Sequence, residues 1–142
     1  MNWLHWSLLS ALFAGLTAVL AKVGVAEINS HLATAIRTLV VLVITWGVAL
    51  VASPAGELAK VPSRAWGFLI ASGIATGLSW LCYFRALQLG EVSRVAPVDK
   101  LGLLFALLLA AVFLRERLTW PQWAGIALIV AGVYLISGKS AV

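Results

Sequence analysis

Five times along this chain an apolar run reaches the length needed to cross a bilayer, about 20 residues for a helix. The runs cover about residues 3–25, 32–52, 65–89, 95–114 and 120–137. Together they take up most of the 142 residues, so residues 1–142 read as one membrane domain with no room for a separate soluble one. Composition agrees. The chain is 63% hydrophobic and 11% charged with a mean hydropathy of +1.05, where a soluble domain carries about 25% charged residues. The fold class is therefore an all-α integral membrane protein with five transmembrane helices. The first run has no basic segment ahead of it, is too long for a signal sequence and lacks a small-residue cleavage site, so it reads as a retained helix.

Several function classes drop out at this point. The formal charge of +5 comes from basic residues scattered through apolar surroundings, which form no patch for a nucleic acid. Cys82 is the single cysteine, so neither an intrachain disulfide nor a cysteine metal cluster is expected. There is no H-E-x-x-H, nucleophile elbow or phosphate-binding glycine loop, and His5 and His31 fall near opposite faces. The expectation is no enzyme, no metal and no cofactor.

Because five is odd, the N-terminus, the 53–64 loop and the 115–121 loop share one side, and the 26–31 loop, the 90–94 turn and the C-terminus share the other. The first side carries Lys60, Arg64, Arg115 and Arg117. The second carries Arg94 and Lys139, with Lys22, Arg37, Arg85 and Lys100 embedded near it. Four basic residues against two or six give the positive-inside rule no clear orientation to impose. Tryptophan is also one-sided: Trp3, Trp6, Trp46, Trp66, Trp120 and Trp123 all fall toward the first side, and Trp80 does not. An antiparallel pair of such chains would place a tryptophan belt at both interfaces.

The embedded charges are the candidate chemistry. Asp99 and Lys100 sit about one turn inside the fourth run, with Pro97 expected in its first turn, and Arg37 about a turn and a half inside the second. An ionisable group at that depth costs several kcal/mol unless it faces a partner or water. Lys22 and Arg85, near helix ends, can extend their heads to the interface. Adjacent on a helix, Asp99 and Lys100 point about 100° apart and neutralise each other poorly. Asp99 is then expected to seek Arg37, which leaves Lys100 for a ligand anion; a permanent ion pair that only fixes the helices is the alternative. On the third run Gly73, Gly77, Trp80 and Phe84 repeat at helical spacing. The G-x-x-x-G half suits close helix contact, and the aromatic half suits a stacked substrate or cation, or plain core. Gly125 and Gly132 make a similar small-residue face on the fifth.

The segments Tyr83 to Leu87, Gly90 to Arg94, Val95 to Ala111, Phe113 to Thr119 and Gly125 to Val133 resemble an EamA domain of the drug/metabolite transporter superfamily. The opening LTAVLAKVG and Arg37-Thr38 are similar to its first hairpin, and Glu116-Arg117-Leu118-Thr119 is the most specific match. Arg115 departs from the pattern, which usually has glycine there, and Glu116 reads as a structural cap or loop anchor rather than a substrate ligand. Typical relatives hold two such domains as an inverted ten-helix repeat, and this chain holds one. The resemblance thus implies half of a ten-helix inverted-repeat transporter fold, completed by an antiparallel, dual-topology homodimer in the cell (inner) membrane. It implies secondary transport, often export, of small metabolites by alternating access. The uncompensated positive charge leans the substrate toward an amino acid or organic acid. The rival expectation is a non-transporting membrane subunit that assembles with another chain.

Overall fold

The computed structural model describes residues 2–54 and 56–138. Lys139 and Ser140, which the sequence places on the second side, lie outside the described residues. The helices are α1 (Trp3–Val25), α2 (Ser30–Ala52), α3 (Ser63–Leu89), α4 (Val92–Asp99), α5 (Gly102–Phe113) and α6 (Trp120–Ser137), with a 3-10 turn at Glu57–Lys60 in the longest loop. Taking α4 and α5 together as Val92–Phe113, five segments are long and apolar enough to cross a bilayer. Hydroxyls inside them turn back on their own helices. Ser7 donates to the Trp3 carbonyl, Thr34 to Ser30, Thr38 to Thr34, Thr76 to Ser72 and Ser137 to Val133, each at 2.7 to 3.0 Å. Lipid supplies no partner for a hydroxyl, so internal pairing is what a spanning helix requires.

The fourth span departs from the sequence expectation. It starts at Val92, three residues early, so Val92 to Arg94 are helical and Pro97 lies in the interior of α4. Proline there has no N–H for the Ser93 carbonyl and crowds it. The chain then tightens. Lys100 and Leu101 donate to Pro97 and Val98, and Leu103 and Leu104 to Lys100 and Leu101, at 2.9 to 3.1 Å, all three residues back rather than four. Helix ends at Asp99 and resumes at Gly102. Asp99 is seven residues from the start of α4, and Arg37 seven from the start of α2. At about 1.5 Å per residue each is some two turns, roughly 10 Å, inside its own helix. Both stand further from the starts of their helices than the sequence suggested.

The chain divides into two compact units, residues 20–88 and the remainder. In the 20–88 unit, buried side chains gather at one end. They are Ala21 and Val25 from the close of α1, Ser30, Ala33 and Thr34 from the start of α2, and Phe84 and Leu87 from the end of α3. Asn29 caps α2 there, its side chain accepting from the His31 N–H at 2.8 Å. Toward the other end of α2 and α3 the large apolar side chains are exposed.

In the other unit α4 lies against α6. Ile126 and Val133, seven apart and so on one face of α6, are buried. The Gln122 side chain accepts from the Thr119 N–H at 2.7 Å and from its hydroxyl at 2.9 Å, fixing the entry to α6 ahead of Pro121. α5 closes differently. The Leu114 and Glu116 N–H groups both return to the Ala110 carbonyl, and between them Arg115 takes φ +57°. A side chain in that left-handed region costs about 1–2 kcal/mol, which explains why glycine suits the position.

Candidate functional site: a guanidinium held by aromatic rings

α3 presents Trp80 and Phe84 four residues apart, hence on one face. Arg37 of α2 is brought to that face. Its guanidinium carbon lies 4.2 Å from the Trp80 ring centroid and 5.5 Å from that of Phe84. Phe84 is almost wholly buried at 3% exposure, and Arg37 and Trp80 are half-buried. Tyr83 meets Phe84 edge-on, with centroids 6.4 Å apart, which steadies that ring. Among the described residues Arg37 makes no ion pair and no side-chain hydrogen bond. The magnitudes show why it tolerates this. An arginine at the centre of a spanning helix costs about 2.5–3.5 kcal/mol on an insertion scale, an upper bound for Arg37 at the eighth position of the 23-residue α2, and each ring contact returns about 0.5–2 kcal/mol. The rings offset much of the cost while engaging the face of the cation. The in-plane N–H groups remain available, and they suit bidentate binding of a carboxylate or phosphate.

Three sequence-derived candidates, Arg37, Trp80 and Phe84, are therefore assembled in one place. The cation that the aromatic face receives is the chain's own. Asp99 and Lys100 lie in the other unit and pair with each other. Lys100 Nζ is 3.5 Å from Asp99 Oδ2, with side chains 63% and 38% exposed. The contact is at the long limit of an ion pair, between neighbours whose backbone stays right-handed through Lys100 (φ −68°, ψ −11°). A pair so exposed is worth about 0–1 kcal/mol in water.

Lys22 and Arg85 take different roles from the expected reach to the interface. Lys22 donates to the Leu87 carbonyl at 2.6 Å, satisfying one of the carbonyls left open at the end of α3. Arg85, exposed, donates to Gln88 Oε1 at 2.6 Å, and Gln88 Nε2 donates to the Ile28 carbonyl at 3.1 Å. Sequence reasoning missed Gln88; its spacing of three from Arg85 was the available signal. The four glycines are open. Among the described residues, a Cβ built at Gly73, Gly77, Gly125 or Gly132 meets nothing within 4 Å. An open recess of about 690 Å³ lies at the far end of α2 from Arg37, lined by Trp46, Leu50, Glu57 and Lys60 among others. It holds none of the candidate residues.

Five spanning segments, internally paired hydroxyls and a ring-held cation at depth define a multi-pass integral membrane protein. The sequence profile of the EamA-like transporter family matches residues 1–138, and the chain belongs to that family. It is 48% identical over 136 residues, 96% of each chain, to an uncharacterized transporter in the cobO 3' region of a Sinorhizobium species. It is 33% identical to the probable 4-amino-4-deoxy-L-arabinose-phosphoundecaprenol flippase subunit ArnE of Pseudomonas fluorescens, over 59% of this chain and 71% of that one. A probable terminal-alkyne amino-acid exporter of Streptantibioticus cattleyicolor is 43% identical over 44% of this chain and 22% of its own length. No solved structure matches the chain. Membership brings a membrane setting and a small-molecule substrate.

Proposed function

We propose that the protein is a secondary transporter, an exporter of amino acids or organic acids, working by alternating access at the interface of an antiparallel homodimer. The observation that carries the reading is Arg37. A guanidinium about 10 Å along a spanning helix, held on aromatic faces and without an ion pair or side-chain hydrogen bond among the described residues, is a site for an anionic group. The amino-acid exporter among the relatives supports a carboxylate-bearing substrate. The second copy is supported by the surfaces one copy leaves open. Asp99 and Lys100 are exposed within a spanning segment, where charge needs water or protein beside it, and among the described residues four glycines leave open space where a Cβ would stand. In this arrangement residues 1–142 act as a single EamA-like domain, one half of the inverted repeat. Asp99 serves as the proton-coupling group of this reading, and Lys100 adds a positive charge beside it.

Purified protein in sealed liposomes, screened against amino acids, organic acids and organic cations, tests this. Exchange of a carboxylate-bearing solute is the expected result. The flippase-subunit relative favours a second reading, a membrane subunit that needs a different chain. Vesicles that move none of these solutes, yet become active when a second chain is co-reconstituted, would establish that reading instead. Cysteines placed singly in the 53–62 loop should label partly from each side of the membrane; complete labelling from one side rules out the antiparallel pair.

A further inference from the structure

The hydrogen bonds Lys22 to Leu87 and Gln88 to Ile28 join the close of α1, the turn after it and the end of α3 in one clasp. Just beneath it lie the unit's most buried side chains: Val25 and Leu87 at 0%, Ser30 at 2%, Phe84 at 3% and Thr34 at 5%. One turn further along α2 and α3 stand Arg37 and Trp80. This end of the unit is sealed between the candidate site and the α1–α2 turn, while the outer halves of α2 and α3 expose their apolar side chains. The seal beneath the clasp is made mostly of small or aliphatic groups. Two side-chain-to-carbonyl bonds of this kind contribute on the order of 0.5–3 kcal/mol each, the upper figure for the charged donor.

We infer that this clasp is a gate on the substrate path, with Lys22 and Gln88 as its latches. The inference rests on the transport reading of the Arg37 site. A solute that passes between Arg37 and the side of the α1–α2 turn must part Val25, Thr34 and Leu87, and so must break both bonds. Each acceptor is a backbone carbonyl at a turn or helix end, free to take water instead when the gate opens. Opening also takes the half-buried Lys22 ammonium off the Leu87 carbonyl, and the water that enters with the solute must solvate it. A permanent staple would look the same at rest but would never part.

The double variant Ile28→Cys/Gln88→Cys, in a Cys82→Ala background, tests the difference in liposomes. Bridging the two thiols with a short bifunctional methanethiosulfonate should lower substrate exchange at least tenfold, and reduction should restore it. Exchange undiminished by a completed bridge overturns the gate. The same variant carrying spin labels, diluted with unlabelled protein, should show two distance populations differing by several Å. A single short population means a static staple and also overturns it. The two readouts separate the claims. Two populations without exchange of any solute sink the transport reading and leave a moving clasp, whereas exchange with one population sinks the gate alone.

Discussion

Trp80→Leu measures the interaction on which the candidate site depends. The Trp80 ring lies 4.2 Å from the Arg37 guanidinium, against 5.5 Å for Phe84, so Trp80 carries the larger share. Cation–ring contacts run from about 0.5–1 kcal/mol when exposed to about 2 when desolvated, and a half-buried pair falls between, at about 1–2 kcal/mol. The single variant mixes this with lost apolar contact, so a double-mutant cycle is needed: Trp80→Leu, Arg37→Gln and the pair, each unfolded reversibly by denaturant in detergent micelles. The cycle should return a coupling of about 1–2 kcal/mol. Replacing Arg37→Gln by Arg37→Lys should retain less than half of the native coupling, because an ammonium keeps the charge but not the planar stacking. The Phe84 cycle should return roughly half the Trp80 value. Additivity of Trp80→Leu and Arg37→Gln to within about 0.3 kcal/mol would refute the reasoning, since the two side chains would then be neighbours without an energetic bond.

Arg115→Gly should stabilise the protein by about 0.5–1 kcal/mol in the same unfolding assay, the relief of a left-handed backbone less the chain entropy glycine adds; destabilisation would mean that the arginine side chain has a role of its own. Pro97→Ala restores the missing N–H donor and should extend α4 through Lys100, seen as slowed amide exchange at residues 100–104, while transport falls if the break is needed for the cycle. Asp99→Asn keeps the size and removes the titration. Proton-driven accumulation should vanish while exchange across a sealed vesicle persists, and accumulation equal to the parent's would exclude Asp99 as the coupling group.

The spans were legible because hydropathy over about 20 residues is a one-dimensional signal that the bilayer itself reads. The face joining Trp80 to Phe84 was legible for a similar reason, since a four-residue spacing on a helix is geometry. What the aromatic face would hold was not. Choosing between a substrate and Arg37 depends on how α2 meets α3, which no local pattern encodes. The break after Asp99 was hidden by its apolar surroundings, for Pro97 looked like a first-turn residue while the helix start was drawn at Val95 instead of Val92. Gln88 and the clasp were missed because backbone carbonyls leave no mark in a sequence. At Arg115 the sequence showed only a departure from the family's glycine; the positive φ that explains the glycine emerged from the structure.

The central claim is that Arg37 recognises an anionic group. Proteoliposomes loaded with a transported amino acid, exchanging against either the free acid or its uncharged carboxamide, test it most directly. The account predicts at least tenfold preference for the carboxylate, a discrimination of about 1.4 kcal/mol or more, and its loss in Arg37→Gln with the folded fraction unchanged. Equal exchange of acid and amide by the parent, or a preference that survives Arg37→Gln, would contradict it.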